Sequence, residues 1–416
     1  MKKYTDNSWD FSTADTKTFT HCFHNYPAMM IPQIAGRLID CLGKKNDVLF
    51  DPYCGTGTSI VEANLRGISG IATDINPLAR LITKAKSTII PLQVLDFYLK
   101  DFNDFIFQYK FGIKSETIEI PDFPNIDFWF TPQVKQHLAR IKIYIDKIED
   151  KNVIAFFKVA FSETIRESSL TKNSEFKLVR MKDRQLRKFS PDVFTIFERK
   201  IFRNRNGLKN FIEQVKTHKK NQICDFNTIN DIPKKIIEEG SIDLIVTSPP
   251  YGDSKTTVAY GQFSRLSNQW LGLKDASQVD NNLMGGRRAK SYEKFDVKEL
   301  DKQIEKIGNK DEKRVLDVIS FYHDYKTSIS NVAKTIKPGG NIAYVVGNRR
   351  VKDEELPTDI VTAKFFEQHN FTHIETIIRN IPSKRMPKEN SPTNIAGAKN
   401  TTMNCEYIVV LKKPNC

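Results

Sequence analysis

The periodicity of apolar residues changes from helical to strand-like and back along the first 90 residues. Apolar positions in residues 33–42 recur at helical spacing, and residues 47–51 form a short apolar run that ends in an acid. A glycine turn, a helix from Ser59 to about Arg66 and a second strand over residues 70–74 follow. This order predicts a βαβ unit with a right-handed crossover.

The pattern differs between residues 92 and 220, where aromatic and charged residues mix and the apolar spacing favours helices. Beyond this stretch, strands and helices alternate again. The sequence therefore predicts an α/β fold with a doubly wound, mostly parallel sheet and a largely helical insertion. The later strands are predicted over residues 222–225, 242–246, 341–346, 373–378 and 407–411.

With 416 residues, 39% of them hydrophobic, the chain is long enough for a catalytic domain with insertions. Residues 1–91 and 221–416 are predicted to form the two parts of that domain. Residues 92–220 are predicted to form a mostly helical, basic insertion. A second polar stretch over residues 252–315 is predicted to lie beside the active site.

Positive charge is concentrated in one part of the chain. The formal net charge is +14, and residues 161–220 alone hold 16 Lys or Arg against 7 Asp or Glu. Clustered positive charge of this kind is typical of proteins that bind a polyanion. A solvated basic face without a partner is the alternative interpretation.

The six cysteines form neither a CxxC pair nor a cluster with histidine. This spacing predicts no metal site and no disulfide framework. The N-terminus lacks the apolar core of a signal peptide, and no apolar run approaches the length of a membrane span. We therefore expect a soluble, cytoplasmic protein without a membrane partner.

The turn after the first strand carries two closely spaced glycines, Gly55 and Gly57. Glycines at this position allow a sharp turn and close approach to a ligand, with the free amides of the next helix nearby. Asp74 ends the second strand, where a carboxylate can accept hydrogen bonds from ribose hydroxyls. Together these residues predict a site for a cofactor that contains adenosine.

A second motif, Thr247-Ser248-Pro249-Pro250-Tyr251, follows the strand over residues 242–246. Two successive prolines continue neither a helix nor a ladder of strand hydrogen bonds, so they fix an exposed turn. The serine supplies an acceptor and the tyrosine a flat aromatic face. These groups suit a planar base held by its amino group, although an ordinary loop is the alternative for this motif alone.

The two motifs together resemble the DNA amino-methyltransferases, which transfer a methyl group from S-adenosylmethionine to exocyclic nitrogens of bases. The resemblance covers roughly residues 20–90 and 222–416 and implies a seven-stranded sheet with an antiparallel last strand. It also implies that Phe23–Ala28 closes over the methionine end of the cofactor. On this basis the predicted cofactor-binding residues are His24, Tyr26, Pro27, Asp51, Pro52, Cys54, Gly55, Gly57, Thr58, Asp74, Ile75 and Asp225.

In this family, serine before the prolines is typical of cytosine-N4 enzymes, whereas adenine-N6 enzymes mostly carry Asp or Asn. Ser248 therefore predicts transfer to N4 of a flipped-out cytosine, with Ser248, Pro249, Pro250 and Tyr251 as the catalytic residues. Adenine N6 is the first alternative. An RNA guanine-amino methyltransferase and an inactive nucleic-acid-binding module are further alternatives.

Insertions in this family carry target recognition, and double-stranded DNA is the partner that the resemblance implies. A cognate restriction endonuclease acting separately is implied by the same analogy. Arginines in the two insertions are candidates for phosphate and base-edge contacts. They are Arg166, Arg180, Arg184, Arg187, Arg203, Arg205, Arg265, Arg287 and Arg288.

Overall fold

The protein is described by a computed structural model that covers residues 2–113, 117–215, 219–253, 257–274, 277–381, 389–390, 400–401 and 403–415. Its centre is an eight-stranded sheet. The strands are β1 (Lys3–Thr5), β2 (Val48–Asp51), β3 (Ser69–Thr73), β4 (Gln222–Cys224), β5 (Ile242–Thr247), β6 (Ile336–Val346), β7 (Thr372–Asn380) and β8 (Cys405–Lys412).

The order of strands across the sheet is β1-β7-β8-β6-β5-β2-β3-β4. Strand β8 runs antiparallel to both of its neighbours, β6 and β7, and the other adjacent pairs are parallel. Seven of these strands are the seven predicted from the sequence. The eighth, β1, adds a parallel edge to β7 through pairs such as Tyr4 with Ile377.

The helices are α1 (Pro32–Leu42), α2 (Thr58–Leu65), α3 (Pro77–Lys86), α4 (Leu92–Lys110), α5 (Ile126–Trp129), α6 (Pro132–Lys147), α7 (Lys151–Ser168), α8 (Asp183–Leu186), α9 (Val193–Gln214), α10 (Tyr260–Trp270), α11 (Val279–Asn282), α12 (Lys298–Lys310), α13 (Glu312–Thr335) and α14 (Thr358–Glu367). Short 3-10 turns lie at Asn7–Trp9 and Phe19–Phe23. Two-residue strands pair Arg350–Val351 with Glu354–Glu355, and Glu389–Asn390 with Asn400–Thr401.

Alternate residues of the central strands pack on opposite faces of the sheet, as the pleat requires. Leu49, Leu244 and Val246 pack against α1 and α2. Phe50 and Ile245 belong to the core formed with α12, α13 and α14 on the other face. Because both faces are covered, the central strands are continuous apolar runs.

A third core joins the helical insertion to the rest of the molecule. It contains Phe102 from α4, Phe157 from α7 and Phe197 from α9, packed edge to face at centroid distances of 5.1–6.2 Å. The same core includes Ala79 of α3 and Phe263 of α10. The insertion is therefore packed directly onto elements that surround the ends of strands β2 and β3.

The strand predicted over residues 341–346 is longer in the structure, because residues 337–340 extend it back to Ile336. The ladder between β5 and β6 is irregular there, and Gly339 has a φ of +78°, which an irregular strand tolerates through glycine.

Candidate active site

The two predicted motifs meet at the ends of adjacent parallel strands. The Thr247 hydroxyl at the end of β5 donates to Asp51 Oδ1 at the end of β2, over 2.5 Å. In the sheet, β3 and β4 lie on one side of β2, and β5 and β6 lie on its other side. This position is the switch point at which α/β sheets bind ligands.

A central cleft opens at this switch point. Gly55 and Ser248 line the same cleft, so the sheet brings together residues that are 193 positions apart in the sequence. The predicted site residues that line it are Tyr26, Pro27, Asp51, Cys54, Gly55, Thr58, Asp74, Ser248 and Pro250.

The glycine loop has the backbone conformation that its sequence predicts. Gly55 has a φ of +48° and Gly57 a φ of +74°, which residues with a side chain rarely adopt. No atom lies within 4 Å of the place where a side chain at Gly55 would begin, so the loop backbone is open to the cleft there. Gly57 caps α2 and packs against Thr83 instead of lining the cleft.

Asp74 connects the glycine loop to the end of the next strand. Its Oδ2 atom accepts from the Gly55 amide at 3.0 Å, and its Oδ1 atom accepts from the Asn76 amide at 2.7 Å. Burial raises the pKa of Asp74 to about 6, against the opposing effect of these two hydrogen bonds. Burial raises the pKa of Asp51 to about 6 as well.

The segment after Phe23 contacts the glycine loop and lines the cleft beside it. Tyr26 accepts from the Asn76 side chain at 2.7 Å and stacks on Tyr260 with ring centroids 5.9 Å apart. The Thr56 hydroxyl donates to the Met29 sulfur at 3.0 Å. These contacts place Tyr26 and Pro27 at the cleft, where the sequence predicted them.

His24 does not line the cleft and has a different environment from the one predicted. Its ring is buried against Tyr26 and Phe263, and neither ring nitrogen has a hydrogen-bond partner among the described residues. Burial lowers the pKa of His24 to about 4, so the ring is neutral near pH 7. The prediction of direct cofactor contact is corrected to a packing role beneath Tyr26.

The helical insertion holds this segment in place. Glu163 of α7 accepts from the Asn25 amide at 3.1 Å, and Arg203 of α9 donates to the Phe23 carbonyl at 2.8 Å and to Glu163 at 2.7 Å. Burial opposes ionisation of Glu163, but the nearby groups His24, Lys200 and Arg203 lower its pKa below the usual range. Part of the insertion therefore supports the cofactor side of the cleft.

Three further predicted residues line grooves that adjoin the central cleft. Pro52 and Ile75 line a groove shared with Asp74 and Pro250. Asp225 is exposed on a wider groove that it shares with Ile75 and Arg287. Leu283 borders all three spaces.

The catalytic motif forms a hydrogen-bonded arrangement that extends beyond the cleft. Ser248 Oγ lies 3.2 Å from the Tyr251 hydroxyl, which donates to Glu406 at 3.0 Å. Pro249 is buried, and neither it nor Tyr251 is among the residues that line the cleft. The ring of Tyr251 lies against Gly347.

Several predicted DNA-contacting arginines are engaged inside the protein. Arg166 is 8% exposed, stacks on Phe263 and donates to the carbonyls of Phe263 and Glu175. Arg203 is held by Glu163, and Arg205 forms two hydrogen bonds with Asp96. The prediction for these three is therefore corrected, because their guanidinium groups are already paired within the fold.

The other predicted arginines lie nearer the surface. Arg180 stacks on Phe128, Arg265 is half-buried, and Arg288 pairs with Asp317. Arg184, Arg187 and Arg287 are exposed. Within the described ranges, Arg184 and Arg187 form no salt bridge.

Sequence analysis missed residues that complete the site from distant parts of the chain. Glu406 and Arg379 lie on β8 and β7, and Glu163 lies in the insertion. The one signal in the sequence was a charged residue interrupting each of two apolar strands. That signal does not identify the partner of either charge, because their pairing depends on strand order.

Comparisons with known proteins agree with this geometry. A profile described as DNA methylase matches residues 1–84. The type II methyltransferase M.MvaI of Kocuria varians is 40% identical, over 99% of this chain and 95% of its own. The chain belongs to the type II DNA methyltransferases. A second member, M.BsoBI of Geobacillus stearothermophilus, is 22% identical over 85% of this chain and 79% of its own.

Among solved structures, an S-adenosylmethionine-dependent methyltransferase of Methanosarcina mazei aligns with a TM-score of 0.36 and 8% identity, over 91% of this chain and 98% of that one. Membership of the family rests on the relative from Kocuria varians. As a member, this methyltransferase uses S-adenosylmethionine and acts on DNA.

Residues that line the cleft suit such a cofactor. Gly55 leaves the loop backbone open to it, and Asp74 presents a carboxylate at its edge. Within the residues that the structure describes, no group of three or more His, Cys, Asp or Glu side chains is placed to hold a metal ion. In the same part of the chain, no helix is both long and apolar enough to cross a membrane.

Proposed function

We propose that this methyltransferase modifies N4 of cytosine in a short DNA sequence. The observation that carries the proposal is the position of Ser248, which lines the same cleft as Gly55 and Asp74. Serine at this place supplies a neutral acceptor for an amino group. The relatives named M.MvaI and M.BsoBI support a role in DNA modification.

The cofactor supplies an electrophilic methyl group when it is bound. We propose that Asp74 accepts hydrogen bonds from its ribose hydroxyls, because the Asp74 carboxylate keeps free lone pairs after binding two backbone amides. The open backbone at Gly55 allows close approach. Tyr26 and Pro27 limit access of water from the other side of the cleft.

The chain's own groups prepare the target amine. An exocyclic amine conjugated to its ring is a weak nucleophile, because its lone pair is delocalised. Ser248 Oγ and the Pro249 carbonyl accept its two hydrogens, which favours a pyramidal nitrogen with an available lone pair. Holding this nitrogen in line with the donor supplies much of the rate acceleration, and the base must leave the duplex to reach the cleft.

DNA binding is assigned to a basic loop formed by residues 172–188. It contains seven Lys or Arg residues and two acids. The Leu178 amide donates to Gln262 at 3.3 Å, and Tyr260, on the same helix α10, lines the cleft. On the basis of this contact we propose that the basic loop binds DNA near the active site, with the exposed Arg184 and Arg187 facing the phosphate backbone.

The proposal also covers the location of the enzyme and its relation to a restriction endonuclease. We propose that the enzyme acts in the cytoplasm and protects DNA from a separate restriction endonuclease. Both rest on the family and on the type II relatives.

The test is to incubate the purified enzyme with unmethylated genomic DNA and labelled S-adenosylmethionine, then digest the DNA to nucleosides for mass spectrometry. We expect N4-methylcytosine. Label on N6-methyladenine without N4-methylcytosine would replace cytosine by adenine as the target. Structured RNA serves as the control substrate, and preferential label in RNA would reject the DNA assignment.

A further inference from the structure

A chain of polar groups leads from the catalytic serine to the last two strands of the sheet. Ser248 Oγ lies 3.2 Å from the Tyr251 hydroxyl, and that hydroxyl donates to Glu406 Oε1 at 3.0 Å. Glu406 Oε2 accepts from Arg379 Nη1. Arg379 is 3% exposed and also donates to the carbonyls of Trp9 at 2.8 Å and Asp10 at 3.0 Å.

The antiparallel direction of β8 explains why this chain reaches the site. Glu406 lies at the beginning of β8 and pairs with Arg379 near the end of β7. Because β8 is reversed, its first residues lie at the same edge of the sheet as the carboxyl ends of β5 and β7. A parallel last strand would place Glu406 at the opposite edge.

The direction of each hydrogen bond follows from the chemistry of the groups. A carboxylate only accepts hydrogen bonds, and the Glu406 carboxylate forms an ion pair with Arg379. The Tyr251 proton therefore points to Glu406. The Tyr251 oxygen is then left with lone pairs, so in the contact with Ser248 the serine hydroxyl must be the donor.

We propose that Glu406 is a positioning residue that makes Ser248 a hydrogen-bond acceptor toward the target amine. With its proton directed to Tyr251, Ser248 Oγ presents lone pairs to the cleft. The opposite arrangement would point the serine proton at the amine and oppose its approach. This inference rests on the proposed role of Ser248, and it applies to whichever base carries the amine.

The position of Tyr251 is fixed by packing as well as by hydrogen bonds. A side chain at Gly347 would begin 2.7 Å from Tyr251 Cδ2 and 2.2 Å from the Met403 sulfur. The ring of Tyr251 thus occupies space that exists only because residue 347 is glycine. Its hydroxyl is thereby held at Glu406 and Ser248.

The experiment compares single-turnover methyl transfer by the parent enzyme, Glu406→Gln, Tyr251→Phe, Ser248→Ala and Glu406→Gln combined with Ser248→Ala. An amide at residue 406 can donate to Tyr251 and so reverse the orientation. We expect Glu406→Gln to slow transfer by about tenfold to a hundredfold, since one misdirected hydrogen bond in a transition state has effects of this size. Dissociation constants for S-adenosylmethionine are expected to change less than about twofold.

The double variant separates positioning from general loss of structure. In the Ser248→Ala background there is no serine hydroxyl to orient, so Glu406→Gln is expected to have no further effect on the rate. An equal slowing in both backgrounds would overturn the inference. So would a parental transfer rate in Glu406→Gln.

Tyr251→Phe supplies a second test, because it keeps the ion pair between Glu406 and Arg379 and removes only the linking hydroxyl. If Glu406→Gln does not fold, Tyr251→Phe alone tests the inference. An unchanged transfer rate in Tyr251→Phe would reject the proposed role of Glu406. All rates are measured on total labelled DNA, with the methylated base identified separately. Label on adenine would therefore change the proposed function. The transfer rates would still decide whether Glu406 positions Ser248.

Discussion

The two halves of the active site are built in different ways. The proposed cofactor half comes from neighbouring residues, since Asp51, Gly55 and Asp74 lie within one βαβ unit. In that unit Asp51 accepts from the Tyr53 amide and Asp74 from the Gly55 amide. The half that faces the base depends on side chains from distant strands, because Ser248 is linked through Tyr251 to Glu406 and Arg379. The comparison teaches that a short motif can hold a cofactor, whereas orienting a weak nucleophile requires the whole sheet.

The helical insertion shows the same division on a larger scale. Its buried helices support the cofactor half through Glu163 and Arg203, which contact the segment around Phe23. Its basic loop, residues 172–188, contacts α10 through the Leu178 amide and carries the exposed Arg184 and Arg187. One insertion therefore combines a structural support with the proposed DNA contact.

The largest effect is expected from Ser248→Ala, which should slow methyl transfer to the base and leave cofactor binding nearly unchanged. We expect methyl transfer to fall by about a hundredfold or more, since a hydrogen-bonding group that acts on the reacting atoms is lost. The dissociation constant for S-adenosylmethionine, measured by calorimetry, should stay within about twofold of the parental value.

The matched control for Ser248→Ala is Ser267→Ala, which removes a buried serine hydroxyl from α10 outside the cleft. It tests whether the loss of any buried hydroxyl in this region slows the reaction. Parental turnover in Ser248→Ala, or weak cofactor binding without slower transfer, would contradict the division between the two halves.

A smaller effect is expected when the cofactor half is weakened through Asp74. Burial raises the pKa of this carboxyl to about 6, and ribose hydroxyls donate to its ionised form. Affinity for S-adenosylmethionine should therefore be highest well above pH 6 and should decrease as the pH falls through about 6. Asp74→Asn should weaken binding by about tenfold at pH 7.5, as the loss of a hydrogen bond to a charged group predicts.

The pH series also checks this assignment, with Asp225→Asn as a control at the adjoining groove. The contribution of Asp74 to the pH dependence should disappear in Asp74→Asn and persist in the control. Asp51 has a similarly raised pKa, so a reduced dependence is expected to remain in Asp74→Asn. Binding that tightens as the pH falls below 6 would be inconsistent with a carboxylate acceptor.

The smallest effect is expected in the basic loop, where Arg184 and Arg187 are exposed. Changing both to Gln should reduce the slope of log affinity for DNA against log salt by about 2, with similar weakening for all sequences. Fluorescence anisotropy at several salt concentrations measures this slope.

Arg205→Gln is the matched control, because its guanidinium is already paired with Asp96 in the fold. We expect its salt slope to equal the parental one. A larger change for Arg205 than for the loop pair would place the DNA contact elsewhere on the insertion.

Local sequence determined a large part of this protein. The seven predicted strands, the glycine turn and the helix after it depend on short-range periodicity and backbone preferences, which operate within about ten residues. The spacing from Gly55 to Asp74 and the Ser248–Tyr251 motif predicted both halves of the proposed site, because each lies directly after a strand. Charge clustering identified the insertion but did not separate surface arginines from buried ones.

Only the tertiary structure decided which distant groups meet. Strand β1 joins the sheet by pairing with β7, more than 360 residues away in the chain, and no local pattern marks that partner. Arg166 and Arg203 look like surface charges in the sequence, yet packing against Phe263 and Glu163 directs them inward. Glu406 reaches the catalytic serine because the last strand is reversed, and strand direction depends on the free energy of the whole sheet rather than on the residues of one segment.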